Sequence, residues 1–347
     1  MKAAWIIISV FILFLASCNS GNNKKAQDES GVDSLRTSIE DLNKLIRENS
    51  TDPDLFHQRA RLYILKPDLD LALKDLNSAI SLSQKNPSYY VTLSDVYLLR
   101  GETKNCRESL SKALSIDPEN NEALLKLAKL NLVLREYPAV FENVKKALAV
   151  DPVNPRAYFI RAIALLENGD TARAVDDLKK TVDQDQEFFE AYLELGELYS
   201  MRKDKIAADY LRNALNIRPD SKEALYLLGM FYQETGQYDN AIETYAMLGK
   251  VDTTFRNAPY NTGYIYLVYL KDFQMASLFF TQAIQRDPEY AEAWYNRGYT
   301  YELLGQYDKA YSDYKMTLRL KDNYQKAIDA LNRLDKILQK KNQSRSG

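Results

Sequence analysis

Along most of this chain apolar residues return every third or fourth position, in short blocks separated by polar turns. That spacing puts them on one face of a helix. The blocks come in pairs, as in EAWYNRGYTYELLGQYDKAYSDYKMTLRL, Glu292 to Leu320, where a first block runs to Leu304, Gly305 breaks it and Tyr307 begins the second. The residue opening each pair recurs as Phe56, Tyr90, Leu124, Tyr158, Tyr192, Leu225, Pro259 and Trp294, at gaps of 34, 34, 34, 34, 33, 34 and 35. A second series, Ala72, Cys106, Val140, Ala174, Ala207, Ala241, Ala276 and Ala310, is small or compact, and a third runs from Ala79 through Ala113, Ala147, Thr181, Ala214, Leu248 and Ala283 to Thr317. Both keep the same register. Small residues are expected where two helices cross closely, because a larger side chain would push the axes apart. Pro118, Pro152, Pro219 and Pro288 each close a repeat, since proline cannot extend the preceding helix.

The eight repeats are bounded at about 53–86, 87–120, 121–154, 155–188, 189–221, 222–255, 256–290 and 291–324. Residues 32–52 carry Leu35, Ile39, Leu42 and Ile46 at helical spacing and predict a helix that caps the first repeat. Residues 325–340 carry Ile328, Leu331, Leu334 and Leu338 and predict a cap on the last. Repeat arrays need such ends, because a bare terminal apolar face would aggregate. The tail, 341–347, is expected to be disordered.

This pattern resembles the tetratricopeptide repeat. Trp294, Gly298, Tyr301, Gly305, Tyr307, Ala310 and Tyr314 in the last repeat all fall where that family expects them. The third repeat departs furthest, with Asn131 where tyrosine is usual and Pro138 in the turn, and Pro259 replaces an aromatic residue in the seventh. The resemblance implies an all-α fold, a right-handed superhelical solenoid of antiparallel helix pairs with a concave face lined by the first helix of each pair.

Ahead of the repeats lies a different kind of segment. Lys2 precedes an unbroken apolar run, Trp5 to Leu15, too short for a comfortable membrane span but suited to a signal peptide. The run ends in LASC, Leu15 to Cys18, which resembles the lipobox of bacterial lipoproteins. The resemblance implies removal of residues 1–17, acylation of Cys18 and membrane anchoring by several acyl chains; an uncleaved anchor or ordinary secretion are the alternatives. Residues 18–31 read as a flexible tether, polar and aperiodic. Asn19 is not the aspartate of an inner-membrane retention signal, so the expected location is the outer membrane facing the periplasm, with surface exposure left open.

Composition removes several functions. Net charge is -2 with no basic stretch in the repeats, which argues against nucleic-acid binding. A single histidine, His57, and two cysteines give no metal-ligand spacing, and Cys106 falls in the small-residue series as a core residue. No phosphate-cradling glycine loop occurs. No catalysis, cofactor, metal or small-molecule substrate is therefore expected. Glu190, Glu194 and Glu197 could bind a cation but read rather as a solvated helix face, an acidic patch in the middle of the groove.

Tyrosine, with 25 copies, is the unusual residue. The motif Tyr-Asn-x-Gly-Tyr-x-Tyr occurs twice, at Tyr260–Tyr266 and Tyr295–Tyr301. Tyr266 and Tyr301 take a family packing position and are expected in the core. Tyr226 and Met230, Tyr260 and Tyr264, and Tyr295 and Tyr299 stand one turn apart on three successive first helices, where the resemblance puts the groove. Asn261 and Asn296 lie beside them, and in the family asparagine there bonds a peptide backbone. The alternative is that these rings pack against neighbouring helices. If Tyr260 rather than Pro259 opened the repeat, Tyr260 would turn inward; aligning the two motifs favours Pro259. Equivalent positions nearer the amino terminus give His57, Arg61, Asp95, Lys126, Lys129 and Arg156, a mixed set leaning basic. Thr92 and Glu122 stand where the family's carboxylate clamp would be, so that clamp is not reproduced. The expected ligand is a segment of an envelope protein bound to a lipid-anchored scaffold, with an envelope glycan as the alternative.

Overall fold

The computed structural model describes residues 27–343, with side chains for 38–339. The expected signal peptide, Cys18 and most of the tether lie outside the described residues, as do residues 344–347. Among the described residues there are 18 α-helices and no strand. The fold is all-α.

The chain forms two compact bodies, meeting in sequence at Val153 and Asn154. The amino-terminal body begins with α1, Gln27–Glu48. Three helix pairs follow: α2 Pro53–Leu65 with α3 Leu69–Leu82, α4 Pro87–Leu99 with α5 Thr103–Ile116, and α6 Asn121–Val133 with α7 Tyr137–Val150. The carboxy-terminal body holds five pairs: α8 Pro155–Glu167 and α9 Thr171–Gln184; α10 Phe189–Met201 and α11 Ala207–Ile217; α12 Lys222–Glu234 and α13 Tyr238–Val251; α14 Asn257–Ile265 and α15 Phe273–Arg286; α16 Ala291–Leu303 and α17 Tyr307–Leu320. Helix α18, Gln325–Gln343, closes it. Both end helices differ from their expected bounds. α1 begins at Gln27, ahead of 32, and ends at Glu48, short of 52. α18 continues three residues past 340.

Local chemistry starts the helices. The side chains of Asn86, Asn120, Asn154 and Ser221 accept hydrogen bonds from the N–H groups of Ser88, Ala123, Ala157 and Ala224, and Pro53, Pro87 and Pro155 take the first turn. These partners satisfy otherwise orphaned donors, while proline has no N–H to leave unpaired. Between repeats, Asp185, Asp252 and Asp287 each accept from the backbone N–H two residues on and fix the turn.

All members of the two small-residue series are buried. Close packing sets the size of the facing residue. A Cβ on Gly229 would lie 2.6 Å from the Tyr245 ring, and one on Gly298 would lie 3.0 Å from Tyr314. Glycine on the first helix thus admits an aromatic ring from the second. Gly263 meets Phe280 at 3.0 Å in the same manner. This match makes Pro259 the counterpart of Trp294 and fixes the register of the seventh repeat.

The two irregular spacings have local causes. Gly236 and Gly305 adopt positive φ at the bend within their pairs, and so does Lys271 in the seventh repeat. Gly263 to Lys271 is eight residues, whereas Gly298 to Gly305 is seven. The helix absorbs the extra residue by widening into a π-turn, Tyr266–Leu270, directly after α14. The 33-residue gap reflects the opposite event: α11 has 11 residues where α9 and α13 have 14, its first turn being lost after Lys203.

Arg135 and Lys203 also stand at φ 58° and 54°, a conformation that costs a residue with a Cβ about 1 kcal/mol. Arg135→Gly and Lys203→Gly are each expected to stabilise the protein by about 0.5–1 kcal/mol, read as a higher urea midpoint. A lower midpoint would show that the side chain contributes more than the turn costs.

Candidate functional site

The tyrosines of the carboxy-terminal body do several things. Tyr226, Tyr260 and Tyr295, each directly following an opening residue, are half-buried, and with the buried Phe159 they form a recurrent clasp. Each lays its ring against an aromatic residue in the next turn between repeats: Phe159 on Phe188 at 4.9 Å, Tyr226 on Phe255 at 5.6 Å, Tyr260 on Tyr290 at 4.8 Å and Tyr295 on Tyr324 at 5.2 Å. Tyr260 also reaches Phe280, and Tyr295 reaches Tyr314, so both rest on the core beneath. Burial pushes the Tyr260 hydroxyl up to about 12. Part of each ring's area is thus spent joining one repeat to the next. The sequence carried a signal for this clasp, an aromatic pair 29 or 30 residues apart, which the helical pattern alone does not pick out.

The residues one turn later are more open. Tyr299 is 37% exposed, and Tyr264 is half-buried with its ring edge-on to Tyr269 at 6.2 Å. The π-turn swings Tyr269 outward, where it stacks on Tyr238 at 4.5 Å. Met230 is half-buried, and Asn261 points an N–H at its sulfur from 3.6 Å. Asn296 donates to the Tyr260 hydroxyl at 2.9 Å. Asn296 thereby commits one N–H to the protein and keeps its other N–H and its carbonyl as bonding capacity, while Asn261 also bonds the Tyr245 hydroxyl. Tyr266 and Tyr301, expected in the core, are instead half-buried at its edge. Tyr266 stacks on Phe279 at 5.5 Å, and Tyr301 lies beneath Arg297 and Lys309.

Two of the five basic residues, Lys126 and His57, are engaged within the protein. In the amino-terminal body Lys126 meets Asp95 at 2.5 Å and Glu122 at 3.5 Å. His57 shares a hydrogen bond with the Thr92 hydroxyl at 2.8 Å and packs on Tyr89. Burial, reinforced by Arg61, lowers its pKa from the ordinary value and keeps it neutral near pH 7. Lys129 is half-buried and Arg61 exposed; Arg156, in the carboxy-terminal body, is exposed on α8. Cys106 is buried, and the loss of solvation pushes its thiol up to about 11, as a packing residue rather than a nucleophile requires.

The glutamates depart from expectation. Glu190 pairs with Arg218 at 2.8 Å. Glu194 and Glu197 on α10 and Glu223 on α12 are half-buried, so the expected solvated face does not exist there. Desolvation, then repulsion from Glu197 and Glu223, pushes Glu194 up to about 8. Burial raises Glu197 and Glu223 as well. Among the described residues no group of histidine, cysteine or carboxylate side chains is disposed to hold a metal ion.

A further polar pattern went unread in the sequence. Arg59 forks onto Asp75, Arg161 onto Asp177 and Arg297 onto Asp313, each through two hydrogen bonds. The spacing is 16 residues in all three, from the first helix of a pair to the second, and each aspartate is buried.

Family models described as tetratricopeptide repeat match residues 87–120, 144–176, 161–205, 207–258 and 279–311. Together they cover more than half of the sequence, and the chain belongs to the tetratricopeptide repeat family. A curated relative, the general transcriptional corepressor trfA of Dictyostelium discoideum, is 26% identical over 129 residues; these make up 37% of this chain but only 9% of that protein. Among solved structures, the C-terminal part of a TPR repeat-containing protein from Cytophaga hutchinsonii is similar with a TM-score of 0.61 and 16% identity, over 70% of this chain and 99% of that one. A tetratricopeptide repeat protein from Parabacteroides merdae aligns over 73% of this chain and 99% of that one, at 18% identity and a TM-score of 0.47. The Cytophaga likeness supports the fold.

Proposed function

We propose that this protein is a lipid-anchored scaffold of the bacterial cell envelope that binds peptide segments or helices of partner proteins along the first-helix face of its repeats. The family membership supports a role in protein–protein interaction. The observation that carries the reading is the tyrosine series on α12, α14 and α16. Its inner rings are clamped by the clasp, while Tyr299 is exposed and Tyr264 half-buried, one helical turn from the amides of Asn296 and Asn261. Rings already fixed by packing lose little freedom on binding, so their contact area converts efficiently into affinity. The anchor in this reading is acylated Cys18, supported by the LASC sequence, and the location is the outer membrane facing the periplasm. Partners there would be proteins of a secretion, outer-membrane or cell-wall assembly.

Crosslinked capture from envelope extracts tests the groove, with the full chain and a Tyr264→Ala/Tyr299→Ala variant as baits. The variant is expected to lose its partners by about tenfold, as truncation of two aromatic anchors usually does. Equal capture by both baits, with matching circular dichroism, would assign these tyrosines to packing. The anchor has its own test: Cys18→Ala is expected to abolish radiolabelled palmitate incorporation and shift the protein from membranes to the soluble fraction. Persistence in the membrane would refute lipidation.

A further inference from the structure

We propose that the partner segment is cationic, its lysine or arginine side chains seated against Glu194, Glu197 and Glu223 while its backbone runs past the tyrosines of α12, α14 and α16. The inference deepens the reading above and rests on it.

The first observation is a break in the charge pairing of the carboxy-terminal body. Its other buried and half-buried carboxylates each meet a cation or a backbone N–H. Asp177 has Arg161, Asp252 has Lys222, Glu302 has Arg333 and Asp313 has Arg297, while Asp185 accepts from the Glu187 N–H. Among the described residues, only Glu194, Glu197 and Glu223 have neither. Their charged neighbours are one another, and the first cause acting on each is loss of solvent. Keeping any of these carboxylates charged out of water beside the others is unfavourable, and no cation within the protein offsets it. A cation arriving from outside would offset it. Glu223 also stands three residues before Tyr226, so this carboxylate and the first tyrosine of the series share one face of α12.

The second observation concerns the rings. This body repeatedly seats its own cations on aromatic faces, with Arg218 at 4.1 Å from Phe189, Arg256 at 4.4 Å from Tyr290 and Arg297 at 4.7 Å from Trp294. Tyr264 and Tyr299, the open members of the series, carry no cation among the described residues. Rings that follow the unpaired carboxylates along successive first helices suit a ligand with both positive and apolar side chains. An acidic or phosphorylated segment would meet repulsion on the same surface.

A displayed library of random twelve-residue peptides tests the inference on four full-length baits. These are the wild type, Glu194→Gln/Glu197→Gln/Glu223→Gln, Tyr264→Ala/Tyr299→Ala, and a control with the same change of charge at exposed sites, Asp220→Asn/Asp239→Asn/Glu243→Gln. Peptides enriched on wild type and control are expected to carry at least about twice the lysine and arginine of the starting library, while the Glu→Gln bait selects peptides without that bias. The inference is overturned if wild type shows no bias, if the bias survives on the Glu→Gln bait, or if the control loses it equally. A separate result marks failure of the underlying reading: the Tyr→Ala bait selects as wild type does, or wild type selects nothing, and the inference then falls with it.

Discussion

Arg297→Ala is expected to destabilise the last repeat by about 3–5 kcal/mol, more than loss of a surface ion pair could account for. The Arg297 guanidinium donates to both oxygens of Asp313, at 2.8 and 2.9 Å, and to the Thr281 hydroxyl at 3.1 Å, while its plane covers Trp294. The Asp313 side chain is only 5% exposed. Burial raises its pKa and Arg297 opposes that shift, so without the arginine a buried carboxylate must either stay charged and unpaired or take up a proton. Arg297→Lys should rescue little, since an ammonium cannot make the planar two-point contact. The double change Arg297→Met/Asp313→Leu should cost much less than Arg297→Ala, because it removes both partners and leaves no orphan. Repeat arrays can unfold in parts, so hydrogen exchange along α16 and α17 is the appropriate measurement alongside urea unfolding. A loss below about 1 kcal/mol for Arg297→Ala would mean that water already reaches the pair.

Glu194→Gln is expected to stabilise the protein at high pH and to have little effect below about pH 4.5. The carboxyl lies near 4.5 in an unfolded chain and at about 8 in the folded one. Between those values the folded state holds a proton that the unfolded state has released. Stability therefore falls as pH rises through that window and levels off above it. At about 1.4 kcal/mol per pH unit the whole effect is bounded at about 5 kcal/mol, and about 2–4 kcal/mol above pH 8 is the expected gain for the glutamine variant once solvent screening is allowed for. Urea midpoints of wild type and variant at pH 5 and pH 9 measure it. A difference independent of pH would show that Glu194 is solvated in the folded protein. The same variant serves the binding inference, since a carboxylate that destabilises the empty protein while favouring a cationic ligand is spending stability on recognition.

The repeat was legible because its signals are local and redundant. Pro118 and Pro152 punctuate the chain, glycines mark several bends, and small residues recur at fixed offsets. Even the irregular gaps were informative: a spacing of 35 placed an extra residue between Pro259 and Ala276, and the structure shows it as the π-turn Tyr266–Leu270. The form it takes could not be read, because a loop, a bulge or a π-turn each accommodates one residue. The Arg–Asp forks were readable in principle, since Arg59 and Asp75, Arg161 and Asp177, and Arg297 and Asp313 share one interval. They were overlooked because the hydrophobic periodicity discards charged residues.

The candidate groove was only partly legible. Sequence placed Tyr226, Tyr260 and Tyr295 at equivalent positions of three first helices, but it counted each ring once. The structure divides their surface between the clasp to the next turn and the face left open, and it shifts the outward role toward Tyr264 and Tyr299. The glutamates show the same limit. Glu194 and Glu197 read as solvent-facing because they are charged and lie on a helix, yet neighbouring helices exclude water from them and bring Glu223 alongside.

By itself the sequence determined the helix pairs, their number, their register and the positions of close approach, because each depends on residues within about one repeat of one another. Tertiary structure alone decided which charges are paired, which rings are committed to packing, and which carboxylates are left without a partner. Those outcomes depend on solvent exclusion by residues from the adjoining repeat, and desolvation is a property of the assembled neighbourhood rather than of any residue in it.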